Sequence, residues 1–197
     1  MAAGLKAGLF LLCLAPFGWL VNAAIGADLG PDPAEAIMRE TGLWGLRLLL
    51  LTLCVSPLRQ WSGRQWFMQQ RRMLGLFAFF YACIHLAAFA HFYIGWQGAL
   101  LLEEVLERPY ISLGFAAWLL MLPLTLTSSR RAQRRLRRQW LRLHRLVYPA
   151  AILACLHLLW QSRSDVGEAL MYIGLCALLL GWRIRRAGRR QAGRAPL

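Results

Sequence analysis

The chain has 197 residues, 58% of them apolar and only 16% charged, which excludes an ordinary soluble domain and points to the lipid bilayer. A formal net charge of +14 would suit a nucleic-acid binder, but the charges lie between long apolar runs and no recognition fold accompanies them. Nucleic acid is therefore excluded as a partner, and membrane lipid is expected instead.

Apolar runs of spanning length occur at about residues 5–25, 43–58, 73–94, 110–127, 146–160 and 166–182. A hydrocarbon core of about 30 Å takes about 20 helical residues, or as few as about 17. Continuous rather than alternating apolar residues exclude a barrel. The expected fold is all-α, a polytopic bundle of six transmembrane helices making one domain from residue 1 to 197. The longest connection, 128–145, is too short and too basic to bury a core of its own.

Lys6 leads the first run and Pro16 interrupts it. Val21-Asn22-Ala23 resembles a leader cleavage site, but the stretch is long for a leader and its basic start is thin, so a retained span is expected. Pro31 and Pro33 mark the following loop, and Arg59, Arg64, Arg71 and Arg72 follow the second run. The third run carries Cys83, His85 and His91, and Gly95, Gly98 and Pro109 predict a loop after it. Beyond the fourth run comes SSRRAQRRLRRQWLRLHR, expected to form an amphipathic helix with Leu136, Trp140, Leu141 and Leu143 toward lipid headgroups. His144 and Pro149 open the fifth run and His157 lies deep within it.

All nine acidic residues fall in three connections: Asp28, Asp32, Glu35 and Glu40; Glu103, Glu104 and Glu107; Asp165 and Glu168. Basic residues fill the others and the tail, where Arg183, Arg185, Arg186, Arg189, Arg190 and Arg194 follow the sixth run. Lys and Arg near span ends stay cytoplasmic, so both termini are expected in the cytoplasm. Arg39, Arg47, Arg108 and Arg163 run against this sorting.

Ionisable residues inside a membrane are costly and mark function. His85 lies 14 residues beyond Arg71 and His157 lies 13 beyond His144, on two spans that run parallel. Each histidine has thus climbed about 20 Å at 1.5 Å per residue, and two imidazoles at one depth can bind a haem iron from opposite sides. Thirteen residues miss the original helix face by more than about a third of a turn, which a kink at Pro149 would repair. His144 is expected either to support that haem or to serve a second one nearer the basic face. Arg71 stands at its level and suits a haem propionate or a lipid phosphate, since guanidinium stays protonated and ligates metal poorly. His91 points about 240° away from His85 and is expected to be an interfacial histidine. Helix-to-helix hydrogen bonding is the plain structural alternative for such histidines.

Cys13, Cys54, Cys83, Cys155 and Cys176 all lie within the runs, with no C-x-x-C or C-x-x-C-H, so haem would be held non-covalently, as b-type. No nucleotide-binding or hydrolytic motif occurs, so any nucleotide would bind another protein. Tryptophans near the span ends fit an interfacial belt.

The segments TGLWGLRLLLLTLCVSPLRQ, RRMLGLFAFFYACIHL, RPYISLGFAAWLLMLPLTLTSS and LRRQWLRLHRLVYPAAILACLHLLW resemble the MsrQ (YedZ) family of haem-binding membrane subunits, within the ferric-reductase-like transmembrane superfamily. The resemblance implies transmembrane electron transfer by one or two b-type haems to a periplasmic molybdopterin-dependent methionine-sulfoxide reductase that repairs oxidised proteins. It implies a quinone or reduced flavin as donor and FMN beside the haem. It makes His85, His144 and His157 the haem histidines and Arg71 the occupant of a fourth position. Arg137 stands where the family commonly has glycine after the leucine, and GPDP replaces a G-A-N-P-like turn. Two other classes are weighed against this: a membrane metalloreductase acting alone, and a transporter or assembly protein with structural histidines.

Overall fold

A computed structural model describes residues 2–162 and 166–192. Arg163, Asp165 and Arg194 lie outside the described residues, as does the side chain of Arg190. The described chain is all-helical: α1 (Ala2–Ile25), α2 (Pro33–Ser62), α3 (Trp66–Phe92), α4 (Gly98–Glu107), α5 (Pro109–Leu126), α6 (Arg130–Leu136), α7 (Arg138–Leu143), a 3-10 turn (His144–Leu146), α8 (Val147–Gln161) and α9 (Val166–Ala192). Six stretches are long and apolar enough to cross a membrane, those of α1, α2, α3, α5, α8 with its approach, and α9.

Several elements differ from the sequence expectation. α2 is 30 residues long because its start is set by capping, not by hydrophobicity. The Asp32 carboxylate accepts from the Glu35 N–H, and Pro33 occupies the first turn, where its missing N–H costs nothing. Helix therefore begins ten residues before the apolar run. Gly63, at φ 67°, ends it with its N–H on the Arg59 carbonyl. The expected loop after α3 contains α4, which Ser112 helps join to α5 by donating to the Val105 carbonyl. The single amphipathic helix expected over 128–145 is instead α6 and α7, broken at Arg137, whose φ is 47°. The Trp140 indole N–H is turned toward the bundle, donating to the Thr127 carbonyl (2.9 Å) at the end of α5. Pro149 sits in the first turn of α8, so it causes no kink. The 3-10 turn changes the phase between His144 and His157 instead, because it winds about 120° per residue rather than 100°.

α2 packs closely on α3, and α5 on α8, with α9 against α8 and α2. Leu50, Leu53, Ala78, Tyr81, Ala150 and Ala151 are fully buried where these helices meet. Small side chains let the helices approach without a solvent-driven hydrophobic effect, as expected in lipid. The many exposed leucines, among them Leu11, Leu12, Leu102 and Leu178, form the outer surface a bilayer would cover. α1 is held by Tyr81 of α3: its hydroxyl donates to the Cys13 carbonyl (2.9 Å) and accepts from the Phe17 N–H (3.0 Å). These are the two groups beside Pro16 where an α-helical bond would otherwise close, so the tyrosine is inserted into the ladder at the proline.

Candidate functional site

α3 and α8 are not closely packed on one another among the described residues, yet one side chain from each crosses the space between them. The rings of His85 and His157 have centroids 6.1 Å apart and planes at 80°. Each is fixed in the same way by the helix behind it. His85 Nδ1 donates to the Met38 carbonyl (3.0 Å) on α2, with Thr41 Oγ1 at 3.4 Å. His157 Nδ1 donates to the Tyr110 carbonyl (2.7 Å) on α5. With Nδ1 carrying the proton, Nε2 keeps its lone pair, the tautomer a metal needs.

A glycine makes each contact accessible. In an α-helix the carbonyl of residue i−4 lies beside residue i, and four residues beyond Met38 and Tyr110 stand Gly42 and Gly114. A Cβ on Gly42 would come within 3.1 Å of the His85 ring, and one on Gly114 within 2.9 Å of His157 Nδ1. Sequence reasoning missed Met38, Gly42, Tyr110 and Gly114. The available signal was a glycine within an apolar helix at matching places in GLWGL and SLGF, where close backbone approach is the usual reason.

The other singled-out residues lie elsewhere. His144 stacks on Trp140 (3.9 Å between centroids, 26°), and its Nδ1 donates to the Trp140 carbonyl (3.1 Å). Arg71 and the Leu124 carbonyl also face its ring. Among the described residues no second histidine stands opposite it. Arg71 is half-buried near Arg183 and Tyr148. His91 is exposed, and its Nδ1 accepts from the Trp96 indole (3.2 Å). Among the described residues no three His, Cys, Asp or Glu side chains converge, so the His85–His157 pair has no third ligand.

A family model described as "Ferric reductase like transmembrane component" matches residues 41–155, which contain His85 and His144 and end two residues before His157. The protein-methionine-sulfoxide reductase heme-binding subunit MsrQ of Xanthomonas axonopodis pv. citri is 52% identical over 166 residues, covering 84% of this chain and 76% of that protein. The protein of the same name from Rhodospirillum rubrum is 42% identical over 193 residues, 97% of this chain and 93% of its own. The chain belongs to the MsrQ family. No solved structure matches it at a significant level.

MsrQ proteins are heme-binding subunits of methionine-sulfoxide reductase, and this chain is a multi-pass membrane member with six candidate spans. The histidine pair passes a geometric test for such a group. A metal bonded to one imidazole nitrogen on each side, at about 2 Å per bond and with each ring centre about 1 Å further, sets the ring centres about 6 Å apart. The observed 6.1 Å matches that spacing.

Proposed function

We propose that this chain carries electrons across a bacterial inner membrane through b-type haem held by Nε2 of His85 and of His157, and delivers them to a periplasmic molybdopterin-dependent methionine-sulfoxide reductase. The supporting observation is the pair of rings 6.1 Å apart, each with Nδ1 tied to a backbone carbonyl. When bound, the haem supplies a one-electron iron centre. The protein orients both imidazoles, keeps them neutral and excludes water. The whole of 1–197 serves this one task as a single ferric-reductase-like transmembrane domain.

Placement of the pair favours delivery at the acidic end of the bundle. His85 is seven residues from the end of α3 and His157 four from the end of α8, about 10 Å and 6 Å of helix. With both termini cytoplasmic, that end faces the periplasm, where the partner works. His144 and Arg71 lie toward the basic end, on the donor side. They would either hold a second haem or support α5 against α8. A quinone or reduced flavin is the donor, with FMN as the second cofactor.

In a strain deleted for this chain, wild type should restore repair of periplasmic methionine sulfoxide, and His157→Ala, present in the membrane at equal amount, should not. Restoration by His157→Ala would refute the reading. Equal loss of extracytoplasmic metal reduction would favour the metalloreductase class instead.

A further inference from the structure

At the basic end, the last turns of α2 and the first of α3 and α8 meet α9 around a cavity of about 450 Å³. Arg59, Arg183 and Arg186 line it together with Ser56, Tyr148 and Trp182. Its lining includes no carboxylate. The Arg183 guanidinium is anchored entirely by neutral groups: the Tyr148 hydroxyl (2.8 Å), the Leu53 carbonyl (2.9 Å) and Ser56 Oγ (3.2 Å). Its Nε is buried with no hydrogen-bond partner. It also lies over the Tyr148 ring, 5.2 Å from the centroid, and Arg186 lies over Trp182. Arg71 adds a fourth positive charge within electrostatic reach of Arg183.

Like charges gathered around one cavity repel one another, and an oxyanion seated among them relieves that repulsion. Guanidinium forks match phosphate oxygens bidentately, and the flanking aromatic rings hold the forks in place. The volume, within the range of small-ligand sites, exceeds that of phosphate alone and leaves room for the group esterified to it.

We propose that this cavity is a binding site for a phosphate ester, with Arg183 and Arg59 as its principal ligands. The site stands apart from the His85–His157 pair and does not depend on the haem reading. The ester comes from one of two sources, an anionic phospholipid headgroup or a soluble phosphorylated molecule.

Native mass spectrometry of the full chain, delipidated in detergent and titrated with dioctanoyl phosphatidylglycerol or with glycerol phosphate, tests this. Retention of phosphatidylglycerol alone supports a lipid site; retention of both supports a site that takes a soluble ester. Arg59→Gln, whose side chain makes no ion pair among the described residues, should fold normally and weaken binding by about tenfold or more, as should Arg183→Gln. Binding of neither probe, or equal binding by both variants and wild type, would overturn the proposal. So would loss of haem absorbance in the variants with phosphate binding unchanged, which would assign the arginines to haem propionates.

Discussion

Gly114 leaves no room for even a methyl group beside His157, since the nearest ring atom would be 2.9 Å away. Gly114→Ala must therefore move an imidazole that the Tyr110 carbonyl holds, and losing the hydrogen bond that orients a metal-binding imidazole typically weakens binding by about 10–100-fold. Haem retained per protein after purification should fall at least severalfold in Gly114→Ala, and less in Gly42→Ala, where the contact is 3.1 Å and the ring can yield slightly. Unchanged haem content in both would show that the glycines do not position the rings. At Arg137 the backbone takes φ 47°, which glycine adopts freely and an L side chain does not. The side chain is exposed, so Arg137→Gly should stabilise the protein by about 1 kcal/mol, read as a higher Tm. The sequence already marked this position, because glycine is common there in the family it resembles.

Helix boundaries follow capping chemistry, which an apolar window does not measure. Asp32 and Pro33 extend α2 beyond the run that starts at Leu43, and the Met38 and Gly42 contacts to His85 belong to that extension. The same limitation hid the backing of His85, since residues 33–42 read as loop. α1 shows the converse: its apolar run was legible, but the hydroxyl that ties it to α3 was not. Tyr81→Phe would leave the Cys13 carbonyl and the Phe17 N–H unpaired in an apolar setting, a loss of about 1–3 kcal/mol. Thermal unfolding in detergent should shift down accordingly, and protease should cut the α1–α2 connection faster. Wild-type behaviour in both assays would mean that α1 is held by its aromatic contacts, Phe10 with Phe77 and Phe17 with Phe80.

Across the whole molecule, charge sorting has a physical explanation for most of its exceptions. Arg39 and Arg47 both pair with Glu168 of α9, at 2.9 and 3.5 Å, and Arg47 also donates to the Tyr172 hydroxyl at 2.7 Å. Arg108 pairs with Glu104 at 2.9 Å. Each of these arginines has an acidic partner, and the expectation of cytoplasmic termini stands on the basic clusters of the other connections. Single cysteines test it: in intact cells an impermeant thiol reagent should label Glu103→Cys but reach Arg134→Cys only after lysis, and the reverse would invert the topology. The six apolar stretches and the depth of His85 and His157 were legible because periodicity and rise per residue are local properties. The carbonyls and glycines that aim the rings come from helices distant in sequence, which no local pattern reveals. The account rests most directly on the haem-to-protein ratio, with a dithionite-reduced spectrum, of wild type, His85→Ala and His157→Ala. Wild type should show a Soret band with sharp alpha and beta bands, and each variant should lose the haem bound by the pair; full haem content in both variants would contradict it.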